Sequence, residues 1–127
     1  MARGTILVVD DDLVVRSLLR RDLAGWGFEV LQAATGTVAL QALALQPVTL
    51  MLLDYSLPDM TGLDVLDSLP PEMADTLKVI VITSSTDRGV YDAFMQGSFT
   101  IYDFMEKPLN MAQLRESIET IFQAQRA

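Results

Sequence analysis

Leu50-Met51-Leu52-Leu53-Asp54 is a short apolar run closed by a carboxylate. Such a run suits a strand buried on both faces, and a charge is costly to bury, so Asp54 is expected where the strand leaves the hydrophobic layer. The same design recurs. Ile6-Leu7-Val8-Val9 leads into Asp10-Asp11-Asp12, and Val79-Ile80-Val81-Ile82 leads into Thr83-Ser84-Ser85. Each of these apolar strands ends in oxygen acceptors.

Working outward, strands are predicted at about 5–9 (β1), 29–33 (β2), 49–53 (β3), 78–83 (β4) and 100–105 (β5), separated by stretches of helical periodicity. Helix α1, Leu13 to Ala24, places Val15, Leu19 and Leu23 on one stripe and ends at Gly25-Trp26-Gly27. Helix α2, Thr35 to Leu45, groups Val38, Ala42 and Leu45 and stops before Pro47, whereas α3, Thr61 to Leu69, groups Leu63, Leu66 and Leu69 and stops at Pro70-Pro71. Helix α4, Arg88 to Gln96, pairs Val90 with Phe94. Helix α5 opens at Asn110 as N-cap, with Gln113 three residues on, and carries Leu114, Ile118 and Ile121. Five alternating strand–helix units make a doubly wound α/β domain with a parallel five-stranded sheet. In such sheets ligands gather at the carboxyl ends of the strands, near the switch in strand order. With the flavodoxin-like order 2-1-3-4-5, β1 and β3 are neighbours and their acidic ends form one cluster, with Thr83 and Lys107 on the same edge.

Composition narrows the chemistry. The 127 residues fit one domain, 1–127, and half of them are apolar. Seventeen acidic against nine basic residues give a net charge of -8, which disfavours direct nucleic-acid contact and anionic membranes and favours cations. Without cysteine there are no disulfides, thiolate metal sites or Cys nucleophiles. Without histidine there is no imidazole acid–base catalysis, and no phosphohistidine can form on this chain. The segment Met1-Ala2-Arg3-Gly4 leads straight into β1 with no signal-like or membrane-spanning run, so a cytoplasmic protein is the expectation.

Clustered carboxylates suit a hard divalent cation such as Mg²⁺, the reading given to Asp10, Asp11 and Asp54. The Asp triplet alone is better explained as a solvated turn capping α1, and Asp12 keeps that role. Adding Asp54 shifts the balance, because capping does not explain two acid-terminated strands in one sheet. A metal held by carboxylates also prepares a site for phosphoryl transfer. Asp54 is then the nucleophile, Lys107 screens charge, and Thr83 donates its hydroxyl to a phosphoryl oxygen. Singly, Lys107 reads as a surface lysine before Pro108 and Thr83 as a strand-end turn residue; only their coincidence at one edge argues for function. Ser56-Leu57-Pro58-Asp59-Met60-Thr61-Gly62 reads as a turn delivering the chain into α3, with Gly62 permitting close backbone approach.

Taken together, Val-Val-Asp10-Asp11-Asp12, Leu-Leu-Asp54-Tyr-Ser-Leu-Pro58-Asp59-Met-Thr-Gly62, Val-Ile-Thr83-Ser84 and Glu-Lys107-Pro108 resemble the receiver domain of two-component response regulators. The resemblance spans almost the whole chain. It implies phosphorylation of Asp54 by a sensor histidine kinase or a histidine phosphotransfer protein, with self-catalysed phosphorylation and slow dephosphorylation as the only enzymatic activity. It further implies Asp11 and the Ser56 carbonyl as direct Mg²⁺ ligands with Asp10 beside them, Asp54 at the metal, Thr83 as switch hydroxyl, Lys107 as phosphate partner, and a cis Lys107-Pro108 peptide. Signalling in the family passes from the hydroxyl to an aromatic on β5, here Tyr102 or Phe104, and changes the partners of the α4-β5-α5 face. Those partners are a downstream protein target, a fused output domain, or a second copy in a homodimer. The Gly97–Lys107 segment is about three residues longer than the family pattern, with the extra residues within Ser98 to Tyr102. Ser56 and Ser85 occupy positions expected to tune phosphate lifetime.

Three other readings are weighed. A haloacid-dehalogenase-type phosphatase wants a second Asp two residues after the nucleophile, where this chain has Ser56. A flavodoxin-type carrier wants a Ser/Thr/Gly-rich loop where this chain has Asp10-Asp11-Asp12. A receiver-like interaction module that never carries phosphate does not need the full set Asp11, Asp54, Thr83 and Lys107.

Overall fold

Strands Thr5–Val9 (β1), Glu29–Ala33 (β2), Leu50–Leu53 (β3), Lys78–Thr83 (β4) and Ile101–Glu106 (β5) form one parallel sheet in the order β2-β1-β3-β4-β5. Helices Leu13–Gly25 (α1), Gly36–Leu45 (α2), Gly62–Asp67 (α3), Arg88–Met95 (α4) and Met111–Arg126 (α5) fill the connections, and a 3₁₀ turn covers Pro71–Asp75. The computed structural model describes residues 2–84 and 88–126, with side chains through 123. The predicted α/β class, strand order and element sequence are those observed.

All four residues of β3 are buried, as expected of a central strand covered on both sides. Alternation divides the core in two. Leu7, Val9, Met51, Leu53, Val79 and Val81 pack with residues of α2, α3 and α4, while Ile6, Val8, Leu50, Leu52, Ile80 and Ile82 pack with residues of α1 and α5. Helix α1 begins at Asp12, whose carboxylate accepts from the amides of Val14 and Val15 at 2.9 and 3.3 Å. It ends before Gly27, whose φ of 99° lies in the left-handed region that favours glycine. Asn110 caps α5 by accepting from the Gln113 amide at 3.0 Å. No helix among the described residues is long and apolar enough to cross a membrane.

Helix α2 differs from expectation. Its buried residues are Gly36, Ala39 and Leu43, whereas Val38 and Leu45 are 42% and 85% exposed. Gly36-Thr37-Val38-Ala39-Leu40-Gln41-Ala42-Leu43-Ala44-Leu45 is apolar nearly all round, so periodicity did not single out the inward face. Helix α3 is shorter than predicted, since Ser68 is its C-cap and Pro71 opens the 3₁₀ turn. Leu69 is nevertheless buried, and Val65 joins Leu66 on the inward face.

Strand β5 absorbs one residue of the long segment before Lys107. Val79 pairs with Ile101 and Ile80 with Asp103, so Tyr102 is an extra residue accommodated as a bulge. From there the pairing is regular, with Phe104 opposite Val81, Met105 opposite Ile82 and Glu106 opposite Thr83. Before the bulge, Phe99 is buried in the core of the α2–α3–α4 side.

Candidate functional site

Two backbone hydrogen bonds carry the sheet one residue past β1 and β3. The Asp10 amide donates to the Ala33 carbonyl and the Asp54 amide to the Val9 carbonyl, each at 3.0 Å. Both carboxyls therefore stand at the rim on rigid supports, 3% and 6% exposed as residues, while Asp11 is exposed. One carboxylate oxygen from each of Asp10, Asp11 and Asp54 lies within 4.8 Å of the others.

Lys107 closes the group. Its Nζ donates to Asp10 Oδ2 at 2.6 Å and to Asp54 Oδ2 at 3.0 Å. The remaining oxygens are held by local amides, Asp10 Oδ1 by that of Asp12 at 2.9 Å and Asp54 Oδ1 by that of Ser56 at 3.2 Å. Lysine reaches this position because its own amide donates to the Thr83 carbonyl at 2.9 Å, after which the chain turns through a cis Lys107-Pro108 peptide. Thr83, 1% exposed, ends β4 beside β3, two residues beyond the Leu53–Val81 pair.

Burial pushes the Asp54 carboxyl above the usual range and the nearby Asp10 charge adds to this, while the Lys107 hydrogen bond works against both. Burial works against the charge on Lys107, but its hydrogen bonds to Asp10 and Asp54 outweigh it and raise its pKa. Three carboxylates against one ammonium leave two negative charges, which a divalent cation would cancel. A donor set of carboxylate oxygens fits a hard ion such as Mg²⁺, with Asp10, Asp11 and Asp54 able to hold it.

The loop after Asp54 is tightly folded. The Gly62 amide donates to the Tyr55 carbonyl at 2.6 Å, Ser56 and Thr61 form an antiparallel bridge, and Thr61 with Asp64 makes a capping box on α3. A Cβ at position 62 would stand 2.6 Å from the Asp54 carbonyl oxygen, so glycine is required there for close approach. Asp59 has a role that sequence reading missed. Its carboxylate accepts from the Gly36 amide (2.8 Å), the Thr37 amide (2.9 Å) and the Thr37 hydroxyl (2.7 Å), fastening the loop to the start of α2. The Thr37 and Gly36 hydrogen bonds lower its pKa to about 2. A partner more than twenty residues away leaves no local pattern to read.

Of the two β5 aromatics, Tyr102 is the bulge residue and is 41% exposed. Phe104 lies on the sheet face of Val81 and Thr83, its ring edge-on to Tyr91 and Phe94 of α4 with centroids 5.3 and 5.9 Å apart. Asp10, Asp11, Asp54, Thr83 and Lys107 thus converge on one edge, with the exposed Ser56 two residues past Asp54. Ser85 lies outside the described residues.

The chain matches the family model of the response regulator receiver domain over residues 6–119. It is 36% identical over 117 residues to the transcriptional regulatory protein KdpE of Mycobacterium tuberculosis, covering 89% of the chain and 50% of that protein. It is 33% identical over 120 residues to the DNA-binding transcriptional regulator NtrC of Escherichia coli, covering 94% of the chain and 25% of that protein. The chain therefore spans half or less of the length of these relatives. Among solved structures it resembles a CheY-like response regulator receiver domain protein from Methanospirillum hungatei, with a TM-score of 0.88, 27% identity and coverage of 97% and 96% of the two chains. It also resembles the response regulator protein TrrA of Thermotoga maritima in complex with Mg²⁺-BeF, with a TM-score of 0.80, 26% identity and coverage of 93% and 98%.

Proposed function

We propose, given that this chain belongs to the response regulator receiver domain family, that transfer of a phosphoryl group to Asp54 switches it between partners. Phosphorylation-based signalling is general to that family, and the acidic cluster is typical of its Mg²⁺ site. The observation that carries the reading is the buried Asp54 carboxylate, held at Oδ1 by the Ser56 amide and at Oδ2 by Lys107 beside two further carboxylates.

In the proposed reaction an Asp54 carboxylate oxygen attacks phosphorus and forms the O–P bond. The N–P bond of a phosphohistidine on a sensor histidine kinase or histidine phosphotransfer protein breaks, and the imidazole leaves with the electron pair. Asp11, Asp54 and the Ser56 carbonyl, with Asp10 beside them, would hold Mg²⁺, which would neutralise charge on the phosphoryl oxygens. Lys107 moves from the Asp54 carboxylate to the incoming phosphoryl group, and Thr83 donates its hydroxyl to a phosphoryl oxygen. The donor is expected to dock over α1, where Leu13, Val14 and Leu18 are 64%, 66% and 46% exposed beside the acidic cluster. The cytoplasm is the expected setting, and the side chain of Ser56 is expected to help set phosphate lifetime.

Movement of Thr83 would carry Phe104 with it and alter the α4-β5-α5 face toward a downstream protein, a fused output domain or a second copy. Phe104 is favoured over Tyr102 because it shares Thr83's sheet face. The test is incubation with a small acyl phosphate and Mg²⁺, for wild type and Asp54→Asn. The expected product is an acid-stable, base-labile phosphate on the wild type alone. A wild type that gains none is instead a receiver-like interaction module.

A further inference from the structure

Asp10 has every polar atom committed, and one of the commitments comes from an unexpected place. Its amide goes to the Ala33 carbonyl, Oδ1 takes the Asp12 amide, and Oδ2 takes Lys107. Its carbonyl oxygen lies past the last rung of β1 and accepts from Arg16 Nη1, one turn into α1, at 2.7 Å. Arg16 is half-buried, and its Nε is the one buried side-chain polar atom without a partner among the described residues.

The consequence falls on Asp11. A peptide unit is planar, so the two units flanking a Cα fix its φ and ψ. The Asp10–Asp11 unit is held through its oxygen by Arg16, and the Asp11–Asp12 unit through its N–H by Asp10 Oδ1. Asp11 is exposed, and these two bonds orient its backbone from either side. We infer that Arg16 is a positioning residue of the metal site, fixing the Asp11 backbone through the Asp10 carbonyl so that the Asp11 carboxylate is presented to the ion. The inference rests on the assignment of Mg²⁺ to Asp11 and its neighbours.

Charge and geometry oppose each other here, which makes the test one of sign. A guanidinium beside the site repels a divalent cation, so if charge dominates, Arg16→Met binds Mg²⁺ more tightly than wild type. Positioning requires the reverse, with affinity about tenfold weaker, the lower end of what loss of an outer-shell partner does. Arg16→Lys, which keeps a donor for the carbonyl, is expected within about threefold of wild type. Calorimetric Mg²⁺ titration of the unphosphorylated chain gives the affinities. Amide exchange in metal-free protein gives a second readout, with the Asp12 N–H losing protection in Arg16→Met. If that variant does not fold, Arg16→Gln replaces it in both measurements. Wild-type binding with equal or tighter binding by Arg16→Met, or unchanged Asp12 exchange, overturns this inference alone. A wild type that takes up no Mg²⁺ overturns the metal assignment and this inference with it.

Discussion

Replacing Lys107 with methionine keeps the apolar stem and removes the ammonium that bridges Asp10 and Asp54 at 2.6 and 3.0 Å. The two carboxylate side chains are 4% and 8% exposed, and the lysine side chain 23%. Removing one partner from a buried pair costs about 3–5 kcal/mol, and the exposure of the lysine lets water screen part of it, so a loss of about 2–3 kcal/mol is expected at neutral pH without metal. In urea this lowers the unfolding midpoint by about 1–2 M. The loss depends on pH. Burial and the Asp10 charge already raise the Asp54 pKa and Lys107 holds it down, so in the variant it rises further. The folded variant then keeps a proton that the unfolded chain, with an ordinary carboxylate, has released. Its stability therefore falls as pH rises from the ordinary carboxylate range through the raised folded value. The defect should be smaller at about pH 5 than at about pH 7.5, and Mg²⁺ should rescue the variant more than it stabilises wild type. Urea unfolding followed by Trp26 fluorescence measures all of this. A defect that is equal at both pH values, or below about 0.5 kcal/mol, would refute the assignment of Lys107 as the counter-ion of the cluster.

Three further substitutions probe the same edge. Asp54→Asn removes a carboxylate whose folded pKa is raised, so the metal-free variant should exceed wild type in stability at neutral pH, with the gap closing as pH falls into the ordinary carboxylate range. Gly62→Ala puts a Cβ 2.6 Å from the Asp54 carbonyl oxygen and should cost about 1–3 kcal/mol and slow phosphorylation; Gly25→Ala, with nothing within 4 Å of the new Cβ, should do neither. Asp59→Ala should speed exchange of the Gly36 and Thr37 amides above the ordinary carboxylate range. The native contribution is lost as pH falls toward about 2, where wild type and variant should converge.

The sheet was legible because a parallel strand covered on both faces is a continuous apolar run, and the site was legible because its charges stand where such runs stop. Helical faces were readable where polar residues marked the outer side, as in α1 and α5. They were not in α2, whose apolar residues surround the axis and whose orientation is set by what Ala39 and Leu43 meet in the core. The fastenings of the site were illegible for another reason. Asp59 reaches across 22 and 23 residues to the start of α2, and Arg16 reaches back six residues to a carbonyl whose exposure depends on where β1 ends. Spacing shows what lies on one face of one element. It does not show which loop a neighbouring element presents.

The bulge at Tyr102 decides whether that one of the additional residues before Lys107 disturbs signalling geometry. A one-residue slip reverses the faces of every side chain beyond it. Without the bulge, Phe104 would turn toward α5 and Asp103 would enter the apolar core between the sheet and α4. As observed, Asp103 stays on the α5 side, where its Oδ2 accepts from the Ser117 hydroxyl at 2.7 Å. Phe104 stays on the side of Thr83, edge-on to Tyr91 and Phe94, and Phe94 is in turn edge-on to Tyr55, the residue after Asp54, at 6.0 Å. One contiguous aromatic group thus joins the chain at Asp54 to Tyr91, which is 42% exposed on α4. Because the extra residue is absorbed upstream of Asp103, Lys107 still meets the Thr83 carbonyl in register. The bulge residue can therefore alter the outer surface, where it adds Tyr102, without altering the geometry at Asp54.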